Sequence, residues 1–523
     1  MGHLFVMHGD LHRLDCDGWL LPTDLYLRIE PWAAPAFTAD PAPRPADAPP
    51  DWHGVSRTFR WDRGAAPPVW LTDVGADSAM PLAWYLEGVR AFVEDASESL
   101  AQHPAATGPT ARGRSRPLLG LPIVATGEGG MKDRPDRLLL DLLPELRRLA
   151  DSAEVDLVLV TPDRLKYDAA QAARRQLGGH DARLAPELAP DALTSTAGLA
   201  ARVRAQQVGL FVGAGISIGA GLPGWQDLLV RVSERLDDSG LADDLDQVLA
   251  ERRLDPLDVA TLLSNRLRDV AGEDTLRATV AEIVAGTQRH ALAHGLLASL
   301  GVGSAVTTNY DRLFETAADG ARRRVAVLPY ERPAATEPWL LKLHGDVDHP
   351  TDIVLTRQDF LRYTSDRNAL TGVVHALLLT RHLLFVGYSL SDPTFHRVID
   401  EVRQALSRAG GAGVFGTVLV AEPPSPAVRE LWGRDLDVVV AGRGAGPEDF
   451  RSHDLWLDML AMHASDPDAH LLSPRFAGLL DDGQRAVRDA LQPVVERFAG
   501  DGLTGTAADR VRDLLTALGL TRD

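Results

Sequence analysis

Four short clusters in the second half of the chain combine residue types that can hold a phosphorylated ligand and move a proton. The first is VGAGISIGAGLPGW at 212–225, directly after the apolar run VGLFV at 208–212. At Gly213 and Gly215 a backbone without Cβ can approach a pyrophosphate closely, and the N–H groups opening a following helix would point at its oxygens. A glycine-rich turn is weak evidence by itself, because tight turns use glycine for steric reasons. The other clusters are TTNYD (307–311), LKLHGD (341–346) and FVGYSLSDP (385–393), each following an apolar run. Polar residues at the carboxyl ends of parallel strands lie where open α/β sheets bind ligands. Four such clusters in one stretch of chain are hard to attribute to turn chemistry.

The elements that must position them read as a parallel sheet covered on both faces. A helix near 196–206 precedes the strand at 208–212, and apolar runs at 304–307, 339–343, 382–387, 415–420 and 436–440 predict further strands. Residues 226–300 carry Leu, Arg and Asp at helical spacing with no clear strand, which predicts a helical insert. Trp225, at its entrance, reads either as a pocket wall or as a core aromatic. Asp311 reads either as a ligand-side carboxylate or as a cap for the helix that follows it.

The GAGIS, TTNYD, KLHGD and GYS runs, in that order, resemble the sirtuin family across 195–465. The resemblance implies a Rossmann-like domain that binds NAD. It assigns Gly213, Ala214, Gly215 and Ser217 to the phosphate loop, and Asn309 and Asp311 to the nicotinamide ribose and amide. It makes His344 the catalytic histidine and sets Gly387 and Ser389 beneath the dinucleotide. Thr308 stands where sirtuin deacylases have Gln, within the same cleft lining. The deacylases also continue their glycine loop with Pro-Asp-Phe-Arg, where this chain has Pro223, Gly224, Trp225 and Gln226, and they carry a four-cysteine zinc site. These departures resemble the sirtuin-like NAD-hydrolysing effectors of prokaryotic antiviral defence, including the Thoeris type.

The chemistry so implied needs few groups. Breaking the nicotinamide C–N bond leaves an oxocarbenium-like ribose, so positioned dipoles and a shielded site matter most. Asn309 can hold a ribose hydroxyl or the attacking water, and imidazole at His344 suits proton transfer near neutral pH. The expected activity is NAD hydrolysis to nicotinamide and ADP-ribose, with NAD as substrate. The alternatives are an NAD-dependent protein deacylase and a non-catalytic NAD or ADP-ribose sensor.

Residues 1–180 alternate strand-like and helical segments, which favours a layered α/β domain. Apolar runs at 3–7, 17–21, 69–74 and 155–160 predict strands, as does the start of LLGLPIVATGEGG at 118–130. Helical spacing covers 83–100, about 135–150 and about 166–177, while the Pro/Ala-rich run 31–50 reads as an exposed insertion. HGDLHRLDCDGWLLPTD (8–24) and LPIVATGEGG (121–130) resemble the macrodomain family, whose members bind ADP-ribose. The resemblance implies that Asp10 meets the adenine amine and that Thr126, Gly127, Gly129 and Gly130 wrap the phosphates. That family's Asn-Ala-Ala-Asn segment is absent. An α/β scaffold whose glycines serve turns and whose Asp10 solvates a strand end is the plainer reading. Residues 178–194 read as a linker. The helical extension 466–523 is a candidate oligomerisation or partner element, or else a capping helix pair.

Bulk properties set the outer limits. A chain of 523 residues predicts two or three domains. A net charge of −19 argues against a strong nucleic-acid surface, which needs clustered Lys and Arg. Cys16 is the only cysteine, so no intramolecular disulfide or cysteine-ligated zinc can form, and no metal is expected. The opening MGHLFVMHGD lacks a basic stretch leading into an apolar one, and no membrane-length apolar window occurs. The expected location is the cytoplasm, with an activating ligand or protein partner acting through the first domain.

Overall fold

The computed structural model describes residues 1–520 other than 38–41, 62–66, 76–79, 103–113, 128–129, 179–180, 236–243, 246, 250, 252, 272–274, 391–392, 409–413, 443–448 and 499–502. The chain forms two compact units, one of 1–110, 115–186 and 458–523, the other of 111–114 and 187–457. No helix among the described residues is long and apolar enough to cross a membrane.

The first unit is built on a six-stranded sheet in the order β1-β6-β5-β2-β4-β3. Its strands are β1 (Leu4–His8), β2 (Gly18–Thr23), β3 (Thr58–Trp61), β4 (Val69–Asp73), β5 (Leu118–Pro122) and β6 (Asp156–Thr161). All pairings are parallel except β3 with β4. Apolar periodicity had no grip on β3, a half-buried TFRW edge segment. Helices α1 (Leu82–Gln102), α2 (Pro135–Ala153) and α3 (Arg164–Gly178) cover the sheet. Leu138, Leu139, Leu142 and Leu146 recur at helical spacing on α2 and meet Val89, Phe92 and Val93 of α1 in one core. The end of the chain belongs to this unit, for Phe476 and Leu479 sit in the same core.

The second unit holds a seven-stranded, all-parallel sheet in the order β13-β12-β11-β7-β8-β10-β9. Its strands are β7 (Val208–Val212), β8 (Ser304–Thr307), β9 (Ala326–Leu328), β10 (Trp339–Lys342), β11 (His382–Val386), β12 (Gly416–Val420) and β13 (Leu436–Val440). The short β9 at the edge has three residues and left no periodic signal. Five helices lie on the path to the site: α4 (Pro190–Arg204), α5 (Trp225–Glu234), α6 (Pro256–Ala271), α7 (Thr275–Ala285) and α8 (Leu292–Ser299). The expected linker at 178–194 is mostly ordered structure. Asp181–Leu184 is helical and α4 starts at Pro190, six residues before the expected helix. Proline at the first helical position suits a start there, since its missing N–H would be unpaired anyway.

A buried charge cluster ties the ends of the first unit together. The Asp458 carboxylate accepts from Arg174 at 2.9 Å, from the Val6 N–H at 3.3 Å, and contacts His3 Nε2 at 2.8 Å. His3, Arg174 and Asp458 are all buried. Replacing Asp458 by Ala leaves the Arg174 cation buried without its counter-ion. Breaking such a pair costs about 3–5 kcal/mol. The expected outcome is a first-unit unfolding transition displaced by that amount in denaturant titration, with the second unit's transition unmoved.

Candidate active site

Strand register sets the site before any side chain is considered. Val386, Val212, Thr307 and Lys342 lie level across β11, β7, β8 and β10. The residues that follow them are the four clusters of the sequence. The chain runs from β7 outward through β8 toward β10 and β9, then returns to β11 on the other flank of β7. The order of strands therefore reverses between β7 and β11, the position at which open parallel sheets leave a crevice beyond their carboxyl ends.

At that reversal the two glycine turns touch backbone to backbone. The Gly213 N–H donates to the Val386 carbonyl at 3.0 Å and the Gly215 N–H to the Gly387 carbonyl at 3.0 Å. A Cβ on Gly213 would stand 2.3 Å from the Gly387 oxygen, and one on Gly387 2.6 Å from the Ile216 nitrogen. Gly387 also has φ +64°, a left-handed conformation that costs other residues. The Cβ positions of Gly213 and Gly215 thus face the β11 turn, where a side chain would be excluded. Gly213 and Ser217 are buried, Gly215 is half-buried and Ala214 is exposed; Ser389, two residues past Gly387, is exposed too.

Behind the glycine loop, which continues as the 3-10 helix Ala214–Ala220, lies a buried polar network. Ser217 Oγ donates to Asp311 Oδ2 at 2.8 Å, and Asn309 Nδ2 donates to Ser217 Oγ and to the Gly213 carbonyl, both at 3.2 Å. A carbonyl can only accept, so the Gly213 oxygen fixes which end of the Asn309 amide faces it. The other end, Oδ1, is buried and has no hydrogen-bond partner among the described residues. Asp311 spends its second oxygen on the Leu313 N–H at 3.0 Å, at the entry of α9 (Leu313–Gly320). Both of its oxygens are thus engaged within the protein, one on Ser217 and one at the entry of the helix. Thr308 is half-buried beside the network, its N–H toward the Val212 carbonyl at 3.4 Å.

His344 stands one strand over at the level of Asn309, since each lies two residues beyond a paired strand end. Hydrogen bonds on either side of it join the two loops, Leu343 N–H to Thr307 O at 2.9 Å and Val347 N–H to Tyr310 O at 3.0 Å. The imidazole is buried, edge-on to Phe360 and Tyr363 at ring separations of 5.1 and 5.9 Å. Gly345 follows at φ +97°, where a Cβ would meet the Asp352 oxygen at 2.5 Å. Trp225 packs against the hydrophobic cluster of the insert, with Leu228, Leu229 and Tyr310. Trp225 itself is half-buried.

Two residues beside the site were not singled out from sequence. Lys342 is fully buried, with Nζ 2.8 Å from Glu315 and 2.6 Å from Asp346. Burial pushes its ammonium toward neutrality, but the Glu315 and Asp346 carboxylates outweigh that and hold its pKa above the ordinary value. A lysine closing the strand WLLK was the available signal. His294 on α8 is fully buried, with Nε2 3.4 Å from Ser217 Oγ. Burial pushes its pKa down to about 3. A histidine in the otherwise apolar run ALAHGLLASL marked it.

In the first unit, Asp10 is half-exposed and caps its own 3-10 turn, accepting the His12 N–H at 2.9 Å. The carboxyl lies below its ordinary pKa: burial raises it, but the bonds from His12 prevail. Thr126 is buried, with Oγ1 donating to the Ile123 carbonyl at 2.9 Å and Lys166 Nζ on it at 3.1 Å. Gly127 and Gly130 are exposed, and Gly129 lies outside the described residues.

Comparison with known proteins agrees with the second unit's motifs. Residues 303–440 match the family model for the SIR2-like domain. The chain is 31% identical over 204 residues to the NAD(+) hydrolase ThsA of Enterococcus faecium, a match covering 38% of this chain and 40% of that protein. It is 26% identical over 211 residues to the NAD(+) hydrolase ThsA of Bacillus cereus (strain MSX-D12), covering 39% and 42%. Defense-associated sirtuin 2 of Bacillus subtilis is 26% identical over 117 residues, covering 21% of this chain and 12% of that protein. The chain thus spans about two fifths of the length of the ThsA relatives it matches. The sirtuin-like character expected from the motifs is borne out over this region.

His294 makes a prediction about pH. The folded state holds its imidazole neutral down to about pH 3, whereas the unfolded chain takes up the proton near pH 6.5. The stability it contributes is present above about 6.5 and is lost as pH falls toward 3, at up to about 1.4 kcal/mol per pH unit. Denaturant titrations across pH 4–6 should show a slope shallower by that amount in His294→Leu than in the parent. Equal slopes would mean that the buried histidine does not titrate in this way.

Proposed function

We propose that the second unit hydrolyses NAD to nicotinamide and ADP-ribose. The observation that carries this reading is the buried Asn309 Oδ1, an acceptor with no partner among the described residues, held just beyond β8 by a network that fixes its direction. Leaving a buried acceptor unpaired costs about 1–3 kcal/mol. A ribose hydroxyl or a water donating to it recovers that cost. The relatives whose names read NAD(+) hydrolase support the same substrate.

The reaction asks the chain's own groups for three things. Asn309 orients the nicotinamide ribose or the attacking water through Oδ1. The exposed Ala214 at the rim offers its backbone N–H toward a pyrophosphate at the start of the 3-10 helix Ala214–Ala220. As the C–N bond breaks, its electron pair leaves on the nicotinamide nitrogen; water oxygen bonds to the ribose carbon, and the proton it sheds passes to His344. Imidazole is the side chain whose ordinary titration lies near neutral pH, as such a base requires.

In this reading the protein acts in antiphage defence by depleting the cytoplasmic NAD pool. The first unit is macrodomain-like and receives an ADP-ribose-like nucleotide at Asp10 and the loop 126–130, which regulates the second unit, alone or with a protein partner or a second copy of the chain. Its support is the residue pattern and the exposure of Asp10, Gly127 and Gly130 at the carboxyl ends of parallel strands.

Incubating the full chain with NAD, with and without ADP-ribose and its cyclic forms, should release nicotinamide and ADP-ribose. His344→Ala should lower kcat roughly 10²–10⁴-fold, and Asn309→Ala about 10²-fold or more through lost positioning. The double variant should fall far short of the product, because both groups serve one transition state. Ser217→Ala should weaken turnover less, since the Gly213 carbonyl still orients the amide. A His344→Ala protein that keeps near-parental turnover and melts early would make the histidine structural and sink the mechanism.

A further inference from the structure

Lys342 reaches from the end of β10 into the loop that follows β8. Its Nζ contacts Glu315 on α9 at 2.8 Å and Asp346 at 2.6 Å, and it donates to the backbone carbonyls of Tyr310, at 3.4 Å, and Asp311. Every one of these partners is buried. A fully buried lysine is costly unless its charge and its protons are all matched, so this side chain has one position. Two of its partners belong to the loop carrying Asn309 and Asp311, and a third, Asp346, lies two residues past His344. Asp346 itself is turned inward, with Oδ1 accepting the Asp348 N–H at 2.7 Å.

Resting on the NAD-hydrolase reading, we infer that Lys342 is the positioning residue that clamps the Asn309 loop and the His344 loop to each other. The route is short and continuous. Lys342 holds the Asp311 backbone; the Asp311 carboxylate accepts from Ser217 Oγ; Ser217 Oγ accepts from Asn309 Nδ2. On the other side Lys342 holds Asp346, and Gly345, with its obligatory φ of +97°, passes that constraint to His344. Lys342 touches no reacting atom in this account. It sets the separation between the group that orients ribose or water and the group that takes the proton, and errors of about 1 Å in such a separation can cost 10²-fold in rate.

Lys342→Met alone strands the Glu315 and Asp346 carboxylates without a cation and can misfold for that reason. The informative variant is therefore the triple neutral one, Glu315→Gln, Lys342→Met and Asp346→Asn, which keeps volume while removing these three charges together and leaves the Asp311 carboxylate on its Ser217 and Leu313 donors. In the full-length protein it should keep a melting temperature near the parent's. Its kcat should fall by about 10²-fold or more, while KM for NAD, set by the untouched glycine loop, stays within about threefold. Amide hydrogen exchange should quicken together at 308–312 and 343–348 and stay unchanged in β7 and β11. A folded triple variant with near-parental kcat overturns the inference, as does exchange that quickens in one loop only or in neither. The exchange arm decides the matter even if the parent cleaves no NAD, an outcome that would fall on the functional reading instead.

Discussion

Everything at the site of the second unit follows from one close contact, the backbone of Gly387 against the backbone of Gly213 and Gly215. Parallel strands β7 and β11 end level, and their turns can leave the sheet side by side only if no Cβ stands between them. With the turns in contact, the carbonyl of Gly213 is aimed at β8, where it accepts from the Asn309 amide. The loop after Gly215 then tightens into a 3-10 helix that brings Ser217 to Asp311. A single methyl group at Gly213 or Gly387 would move the origin from which each of these positions is measured.

The network that hangs from this contact is polar and buried, a costly combination in a protein interior. Ser217, Asn309, Asp311, Glu315, Lys342, His344 and Asp346 are all buried within a few residues of the carboxyl ends of three strands. Among the described residues the Asn309 Oδ1 has no hydrogen-bond partner, and neither do the Glu315 oxygens, one of which meets Lys342 as an ion pair; the Asn309 acceptor is the one whose direction the Gly213 carbonyl fixes. The helical insert supplies the shielding. Residues of α5, α6 and α7 form one apolar cluster with Tyr310, Leu313, Ile353 and Leu355, so the loops after β8 and β10 rest on a hydrophobic support rather than in water.

The first unit uses related architecture with different electrostatics at its strand ends. Asp10 and Thr126, the residues that sequence marked for a nucleotide, are engaged in local hydrogen bonds, one capping a turn and the other bonded to Ile123 and Lys166. Its firmest interaction lies elsewhere, where Asp458 joins β1 to α3 through His3 and Arg174. That contact explains why 458–523 belongs with residues far earlier in the chain and not with the β-strands just before it. Nothing in local composition reports a partner more than 280 positions away, the separation between Arg174 and Asp458 being 284.

Sequence alone determined the elements and the chemistry that follows them. Runs such as VGLFV, HLLFV and VDLVLV are mostly apolar because parallel strands are covered on both faces, and helices such as α2 repeat leucine at helical spacing because one face is buried. Glycine, asparagine and histidine just past strand ends stood out for the same reason: little else in a buried sheet tolerates them. Tertiary structure alone decided what those residues do to one another. Register set the Asn309 and His344 loops side by side, strand order brought Gly387 against Gly213, and burial turned Lys342 from the last letter of a strand into the centre of an ion cluster. These are relations between segments tens or hundreds of residues apart, set by which strand pairs with which. A linear pattern carries the preference of each segment for burial and shape, but not the identity of its partner.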